Sequence, residues 1–422
     1  MNDKKTIIPL IIGIVLLISI IIVWTVIYSR SPEPYLKETK QYEGFKTNIL
    51  NQQKNIFQKL ISGQKIPFNI TKSIDNNYLI DIPSFNDFNF SGKGIVIAGN
   101  ANKYRYLTGI YTNVYVIRKL YKSNIPIEIF YVGIKESFNS KILSLFEELG
   151  NIKIIDLMSV INTNVLKSEL IGYQTKPLAV LCSSFKEIIL MDADALSFMD
   201  PINFFNISGY VESGMVLFRD YVSCLHFINK DFLNNSLNIN SDTYCNKTKG
   251  YEIDSSCVII NKELCWETIY TISLINVKSD AYYNKYNKNV LGDKDTWLIG
   301  CIFTGIDPII SNPKPAVIIT DTNLQILGHL QFGEFDYVNV PLYYNNQMID
   351  LEYANTDNWK YTIEINPKKT QLIDNQQMYP ITDNMINSFK YAKKAMNILR
   401  SNNLLNINID SNNGIIKKGF IP

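Results

Sequence analysis

Two carboxylates follow an apolar stretch near the middle of the sequence. Residues 187–191, Glu-Ile-Ile-Leu-Met, are typical of a buried strand, and Asp192 and Asp194 come directly after them. Ligand sites in α/β folds lie at the carboxyl ends of strands, and carboxylates are costly to bury unless a cation accompanies them. Two aspartate oxygens suit a hard divalent cation whose other ligands come from a diphosphate. We therefore interpret this pair as ligands of a metal ion and a diphosphate substrate.

The alternative interpretation is that these aspartates only belong to a turn. Asp-x-Asp is frequent by chance, and Asp200-Pro201 a few residues later is a turn signal. The strand before the pair, and the helix-like segment before that strand, favour the metal interpretation.

The hydrophobic pattern around the pair predicts strands that alternate with helices. The predicted strands are 95–98, 127–132, 152–157 and 187–191, and the predicted helices are 106–122, 138–149 and 174–185. This alternation predicts βαβ units and a largely parallel sheet in an α/β fold. The loop Gly99-Asn100-Ala101 suits the edge of a nucleotide, although the chain has neither G-x-G-x-x-G nor P-loop spacing.

Beyond residue 200 the predicted pattern is mixed. The predicted strands are 215–218, 257–260, 316–320 and 325–330, the predicted helices are 262–276 and 383–400, and residues 346–381 are predicted to be polar and irregular. A further amphipathic helix is predicted at 36–63.

Composition and charge exclude some classes of partner. The 422 residues are 46% hydrophobic, which is enough for a sizeable core, and 41 basic against 39 acidic residues give a net charge of +2. This balance argues against nucleic acid as a partner.

The run 7–28 carries no charge and predicts a transmembrane helix. At about 1.5 Å per residue it is long enough to cross a hydrocarbon core of about 30 Å. It is longer than the apolar part of a signal peptide, and Ser29-Arg30-Ser31-Pro32 is a poor cleavage site. We predict an uncleaved signal anchor of a single-pass type II membrane protein, with the large carboxyl-terminal part in the lumen.

The cysteines and the glycosylation sequons agree with a luminal domain. No Cys-x-x-Cys pair is present, which argues against a zinc site, and any disulfides are expected among Cys224, Cys245, Cys257, Cys265 and Cys301, with the connectivity left open. Cys182 is predicted to be a buried thiol. Asn-x-Ser/Thr sequons occur at Asn69, Asn89, Asn206, Asn234 and Asn246.

Several ordered blocks resemble the fungal-type alpha-1,3-mannosyltransferases, glycosyltransferase family 71. The blocks with this resemblance are Gly94–Gly99 with Tyr106, Pro126-Ile127-Glu128, Lys176–Leu181 followed by Ser183-Ser184-Phe185, Asp192-Ala193-Asp194, Gly214–Asp220 and Gly292–Leu298. They lie within residues 93–335. Asp254-Ser255-Ser256 departs from the family pattern, since it stands where a Ser-Gly turn is expected.

The resemblance implies a fold, a donor, a cofactor and a location. It implies a GT-A type α/β fold, a Rossmann-like mixed sheet flanked by helices, preceded here by the transmembrane helix. It also implies GDP-mannose as the nucleotide-sugar donor, Mn2+ (or Mg2+) as cofactor, retention of the anomeric configuration, a glycan or glycoprotein acceptor, and a catalytic domain facing the Golgi or ER lumen. The corresponding division of the chain is 1–6 tail, 7–28 anchor, 29–92 stem and leading helix, 93–345 catalytic domain and 346–422 extension.

The resemblance also implies roles for individual residues at the donor side. Gly99, Asn100 and Tyr106 would border the nucleotide, and Lys176 would contact the diphosphate or ribose, unless it is a surface lysine. Arg219 could bind a phosphate, or it could pair with its neighbour Asp220. His329 stands where related transferases carry a third metal ligand, in addition to the two that Asp192 and Asp194 would supply. A lone histidine is, however, more often structural.

Asp293 and Asp295 are the candidates for the reaction itself. One of them could orient the acceptor hydroxyl or stabilise an oxocarbenium-like transition state, or both could be carboxylates at a helix amino terminus. Trp297, Tyr343 and Tyr344 could stack on sugars or fill the core. Two other functions remain open at this point, a transferase that uses a UDP-sugar and a catalytically silent, membrane-tethered glycan-binding protein.

Overall fold

The computed structural model describes residues 84–100, 104–160, 172–277, 289–320, 328–345, 356–364 and 377–404. The predicted anchor 7–28, the predicted helix 36–63 and the sequon at Asn69 lie outside these residues. None of the helices in the described part of the chain is long and apolar enough to span a membrane.

The described strands follow the predicted apolar runs closely in the first half of the chain. In chain order they are β1 (Lys93–Ala98), β2 (Ile127–Tyr131), β3 (Ile152–Asp156), β4 (Glu187–Asp192), β5 (Leu196–Ser197), β6 (Met215–Ser223), β7 (Tyr251–Asn261), β8 (Ile309–Ile310), β9 (Ala316–Thr320), β10 (His329–Phe335), β11 (Val338–Asn345), β12 (Trp359–Glu364) and β13 (Met378–Pro380).

The described helices are α1 (Tyr104–Tyr115), α2 (Ser140–Glu147), α3 (Leu157–Val160), α4 (Thr175–Cys182), α5 (Tyr210–Ser213), α6 (Ser241–Lys247), α7 (Trp266–Val277), α8 (Lys294–Thr304) and α9 (Asp383–Ser401). Five of these helices (α1, α2, α4, α7 and α9) lie where the sequence predicted helices, and the other four were not predicted. The long α9 begins at a Thr382 cap, whose hydroxyl accepts a hydrogen bond from the backbone of Met385.

A seven-stranded sheet positions the aspartate pair. Its strand order is β3-β2-β1-β4-β7-β6-β8. The four strands β3, β2, β1 and β4 are parallel to one another, whereas β7 is antiparallel to both of its neighbours, β4 and β6. The mixed α/β sheet expected from the sequence is thus confirmed. Ile188 to Met191 of β4 are fully buried, and Asp192 pairs with Ala98 at the carboxyl end of β1.

A second sheet of six strands, in the order β13-β12-β9-β10-β11-β5, packs on the same hydrophobic core. The rings of Phe198, Tyr344, Trp359 and Phe389 make tilted and edge-to-face contacts where β5, β11, β12 and α9 meet. Residues after 345 therefore contribute both a strand and a helix to the core that also holds the first sheet.

Three sequence predictions need correction. The segment 346–381 was predicted to be irregular, but β12 and β13 lie within it. β12 is a short strand in a mostly polar run, and it forms because it pairs with β9 on one side and with β13 on the other. The strands predicted at 215–218 and 257–260 are longer, since β6 runs to Ser223 and β7 begins at Tyr251. Of the strand predicted at 325–330, residues 325–327 lie outside the described part, and β10 begins at His329.

One disulfide joins Cys224 to Cys245, with a Cα–Cα distance of 5.7 Å. Both cysteines belong to the group from which a pairing was expected. Cys257, Cys265 and Cys301 are buried free thiols, and Cys182 is a free thiol that is only partly buried.

Candidate functional site

Lys176 links the Asp192 carboxylate to Asp293 at the carboxyl end of β4. Its Nζ lies 2.7 Å from Oδ1 of Asp192 and 3.1 Å from Oδ1 of Asp293. It also donates to the carbonyl and the hydroxyl oxygen of Ser255, at 3.1 and 3.0 Å. The structure therefore brings together the three residues that the sequence placed at the donor and in the reaction. We call Lys176, Asp192, Asp293 and Ser255 the lysine–aspartate cluster.

Four different elements supply this cluster. Asp192 ends β4, Ser255 lies on the adjacent strand β7, Lys176 is in the first turn of α4, and Asp293 immediately precedes α8. α4 leads into β4 through a short turn, so its first residues lie near the end of that strand. The polar cluster is buried, except that the side chain of Asp192 is 26% exposed.

The cluster holds two carboxylates and one ammonium group. Burial lowers the pKa of Lys176, but Asp192 and Asp293 outweigh burial and the pKa is raised overall, so the lysine is charged. Burial raises the pKa of Asp192 to about 7; Lys176 opposes this rise, and the negative charges of Asp194 and Asp293 add to it. When both carboxylates are ionised, which for Asp192 requires a pH above about 7, the cluster carries one more negative than positive charge.

Asp194, the second carboxylate of the pair, is turned toward Arg105. The guanidinium group of Arg105 donates from Nε at 3.0 Å and from a terminal nitrogen to the same oxygen, Oδ2. Asp194 is buried, whereas the side chain of Arg105 is half exposed. Arg105 had no predicted role, although it directly precedes Tyr106 in a block that resembles the family.

His329 contacts a third carboxylate. Its Nε2 lies 2.8 Å from Oδ2 of Asp254, and this oxygen also accepts a hydrogen bond from Gln331. Burial lowers the pKa of His329, but Asp254, Asp220 and Asp194 raise it more, so the pKa is raised overall. The hydrogen bonds from His329 and Ser256 hold the pKa of Asp254 below its usual range despite burial.

A second buried lysine, Lys294, pairs with two further carboxylates. Lys294 is 2.8 Å from Oδ2 of Asp220 and 2.5 Å from Oε2 of Glu252. Asp295 is fully buried and accepts a 2.7 Å hydrogen bond from the hydroxyl of Tyr244, and burial raises its pKa to about 7. The structure thus separates the two predicted catalytic residues, because only Asp293 belongs to the lysine–aspartate cluster. The catalytic role of Asp295 stays a prediction.

Arg219 is buried and does not pair with Asp220, whose partner is Lys294. Its guanidinium carbon lies 5.1 Å from the centre of the Tyr251 ring, and burial lowers its pKa. The alternative of a mutual Arg219–Asp220 bridge is therefore wrong. The proposed contact of Arg219 with a phosphate stays a prediction.

The predicted nucleotide-binding residues lie at the end of β1, on the other side of β4 from β7. Gly99 is so close to the aspartate loop that a Cβ there would lie 3.2 Å from the Cβ of Ala193. Asn100 is buried and donates to Glu136 at 3.3 Å, and Tyr106 is partly buried against the core. The loop after β1 thus borders the Asp192–Asp194 segment, as expected of a loop that shares a ligand with it.

Asp192 and Asp194 fit a hard divalent cation by their oxygen ligands and by the excess negative charge of the cluster. Within the described residues, however, no three Asp, Glu, His or Cys side chains converge closely enough to hold a metal ion. Each predicted ligand is instead engaged by another side chain: Asp192 by Lys176, Asp194 by Arg105, and His329 by Asp254. The aspartate pair therefore fits a cation that takes its remaining oxygen ligands from a diphosphate. His329 is bonded to Asp254 and does not join the pair.

Three aromatic residues considered for sugar stacking are core residues. Trp297, Tyr343 and Tyr344 are fully buried. The indole nitrogen of Trp297 donates to Oδ2 of Asp293 at 2.9 Å, so this residue helps to fix the cluster from inside.

Comparison with known proteins gives the family. Residues 92–326, more than half of the chain, match the family described as “Mannosyltransferase putative”. Alpha-1,3-mannosyltransferase MNT3 of Saccharomyces cerevisiae is 27% identical over 236 residues, which are 48% of this chain and 36% of the yeast protein. Alpha-1,2-mannosyltransferase MNN22 of Candida albicans is 25% identical over 323 residues, which are 65% of this chain and 51% of the Candida protein.

The chain thus spans about a third to a half of the length of these two relatives. Among solved structures, that of the mannosyltransferase Ktr4p from S. cerevisiae in complex with GDP is 10% identical, with a TM-score of 0.33, and the match covers 62% of this chain and 76% of Ktr4p. The match of residues 92–326 contains both the aspartate pair and Asp293. By this match, the chain belongs to the family of mannosyltransferases.

Proposed function

We propose that this protein is a membrane-anchored glycosyltransferase that moves mannose from GDP-mannose to a glycan acceptor with retention of the anomeric configuration. The lysine–aspartate cluster at the carboxyl end of β4 is the observation that carries the proposal. It lies where an α/β sheet binds ligands, within the part of the chain that matches the family. We propose a GT-A fold for the catalytic domain, and a Golgi or ER location with the catalytic domain in the lumen.

The charges of the cluster suit a reaction whose leaving group is a nucleoside diphosphate. Asp192 and Asp194 would hold Mn2+ or Mg2+, which would neutralise the negative charge that develops on the departing diphosphate. Lys176 is a charged donor that lies between the two carboxylates, and it would contact the same diphosphate by exchanging one of its present acceptors. The guanidinium group of Arg105, which is half exposed beside Asp194, can reach phosphate oxygens from the other side.

Asp293 is the carboxylate best placed to act on the sugar. It is ionically paired with Lys176 and hydrogen-bonded by Trp297, so its orientation is fixed from two sides. A fixed carboxylate next to the diphosphate can stabilise positive charge on the sugar ring or orient the acceptor hydroxyl. Asp295 is bonded to Tyr244 and does not belong to the lysine–aspartate cluster.

The proposal is tested by transfer assays on the full-length chain in detergent. GDP-mannose is supplied with alpha-linked mannobioses as acceptors, with Mn2+ or with EDTA, and UDP-sugars replace the donor in parallel. Asp192→Asn and Asp194→Asn should each lower turnover by roughly a hundredfold or more, because each removes a carboxylate charge that would hold the metal ion on the diphosphate. Asp336→Asn is the matched control, since Asp336 is exposed and its positive φ of 47° is tolerated by asparagine.

Three outcomes would contradict the proposal in whole or in part. Undiminished turnover in both aspartate variants would refute the assignment of the pair. Transfer from a UDP-sugar alone would keep the enzyme and replace the donor. A protein that neither transfers sugar nor binds a nucleotide would support the silent glycan-binding alternative, which the existing pairing of every predicted metal ligand would then explain.

A further inference from the structure

Tyr173 is a large aromatic residue that is exposed beside the candidate site. Its side chain is 59% exposed, on the short 3-10 turn Gly172–Gln174 that leads into α4. A single exposed aromatic residue is ordinary on a protein surface. The position of this one is informative, because the aromatic residues that the sequence suggested for sugar stacking are all in the core.

The ring of Tyr173 packs on the backbone next to Asp293. A Cβ at Gly292 would lie 3.1 Å from Cγ of Tyr173, so the ring rests directly on this glycine. Gly292 has a φ of +70°, which favours glycine, and a side chain there would be strained and would also press against the ring. The next residue, Asp293, binds Lys176. Tyr173 and Lys176, three residues apart, thus both contact the segment 292–293.

This arrangement places a flat apolar surface next to charged groups. Leu291, which directly precedes the glycine, is a second exposed apolar residue in this segment, at 48% exposure. Apolar surface with a few fixed polar groups is typical of small-ligand sites. A pyranose ring matches both parts, since its C–H face can lie on an aromatic ring while its hydroxyl groups reach a carboxylate.

The sheet order indicates which saccharide would lie there. Gly99 and Asn100, the predicted border of the donor nucleotide, follow β1, which neighbours β4 on one side. Lys176 bonds to Ser255 of β7, which neighbours β4 on the other side, and α8, which begins directly after Asp293, packs against β7. Through its contact with Gly292, Tyr173 lies beside the start of α8, the helix that packs against β7, and not beside the loop after β1.

We propose that the ring of Tyr173 forms part of the acceptor subsite and stacks on a pyranose ring of the acceptor glycan. The inference rests on the proposed transferase function and deepens it. Gly292 seats the ring, Leu291 is a second exposed apolar residue in this segment, and the carboxylate of Asp293 lies at the inner end where the reacting hydroxyl would approach.

The test compares Tyr173→Ala with Tyr173→Phe in the full-length chain. Initial rates are measured with an alpha-linked mannobiose as the varied acceptor, then with GDP-mannose varied, and the release of GDP from GDP-mannose into water is measured without acceptor. Loss of the ring should raise the KM for mannobiose by roughly three- to tenfold. It should leave the KM for GDP-mannose and the hydrolysis rate unchanged. Tyr173→Phe keeps the ring and should behave as the natural protein.

Tyr337→Ala is the matched control, because Tyr337 is 95% exposed in the turn that joins β10 to β11. An unchanged KM for mannobiose in Tyr173→Ala, in an enzyme that does transfer mannose, would overturn the acceptor subsite alone. A parallel rise in the KM for both substrates would also overturn it, since that result would indicate a general disturbance of α4. If the natural protein neither hydrolyses nor transfers GDP-mannose, the proposed function fails, and the subsite fails with it.

Discussion

Two buried lysines at opposite ends of α4 have opposite surroundings. Lys176, in the first turn, bonds to the carboxylates of Asp192 and Asp293. Lys262, which follows β7, donates to the carbonyl oxygens of Leu181 and Ser183 at 3.1 and 2.7 Å, where α4 ends. The carboxylates raise the pKa of Lys176 despite burial, whereas burial lowers the pKa of Lys262 to about 7.

The helix itself explains only one of the two positions. A cation near the carboxyl end of a helix is favoured by the helix dipole, so Lys262 is placed where stability alone would place it. Lys176 is at the amino end, where the dipole opposes a positive charge, and it is retained there by two carboxylates. Because these carboxylates exceed the lysine in charge, the arrangement is better suited to binding a ligand than to stabilising the fold.

The largest effect is expected from Lys176→Met. The variant leaves Asp192 and Asp293 without their counter-charge, and removal of one partner from a buried ion pair typically costs about 3–5 kcal/mol. We expect a loss near the lower end of that range, because Asp192 is partly exposed. Urea unfolding of the full-length chain measures this loss. A free energy of unfolding equal to that of the natural protein would show that Lys176 does not offset the charges of these two carboxylates.

Asp293→Asn should separate function from stability. Asparagine has one acceptor oxygen where Asp293 has two, so it keeps the hydrogen bond from Trp297 or the contact with Lys176 but not both, and the free energy of unfolding should fall by about 1–3 kcal/mol. Turnover should fall by roughly a hundredfold, because the negative charge that would stabilise positive charge on the sugar ring is lost. The measurement is the kcat for mannose transfer in parallel with urea unfolding. Asp295→Asn provides the comparison, and an equal loss of turnover in both would contradict the separate placement of the two residues.

Lys262 should make stability depend on pH in a defined direction. Its pKa in the fold is about 7, below the value of about 10.4 in an unfolded chain, so between these values only the unfolded state holds the extra proton. Stability must therefore rise with pH across this window, by at most about 1.4 kcal/mol per pH unit. Unfolding at pH 7 and pH 9 should show a gain of about 2 kcal/mol relative to Lys262→Met. Parallel curves for the two proteins would contradict the lowered pKa.

Lys262→Met at pH 7 should have the smallest effect. The variant loses hydrogen bonds to two carbonyl groups but also removes a charge that is costly to bury, so the net change should be within about 1 kcal/mol. Mannose transfer should be unchanged, since Lys262 lies at the opposite end of α4 from Lys176. A loss of transfer similar to that of Lys176→Met would erase the distinction between the two ends of the helix.

The sequence predicted the elements around the aspartate pair because they are apolar and regular. It underestimated β6 and β7, since the partly buried Asp220 and the buried Glu252 and Asp254 are polar residues that interrupt the hydrophobic pattern. Functional sites are where such local rules are expected to fail. Polar side chains at the candidate site thus hid the parts of the strands that build it.

The partners of each predicted residue could not be read from the sequence. Asp293 meets Lys176 because α8 packs on β7, and His329 meets Asp254 because the second sheet packs on the first. No local spacing encodes either contact. Tyr173 also escaped notice, because nothing in the sequence separates an exposed tyrosine on Gly292 from the many buried tyrosines.

The most direct test of the central claim is a thermal unfolding titration of the full-length chain with GDP and UDP, each with and without Mn2+. A ligand that binds only the folded state raises the unfolding midpoint by mass action. We predict a Mn2+-dependent rise with GDP that Asp192→Asn abolishes and Asp336→Asn retains. No rise with either nucleotide in the presence of Mn2+ would contradict the assignment of the lysine–aspartate cluster to a nucleoside diphosphate.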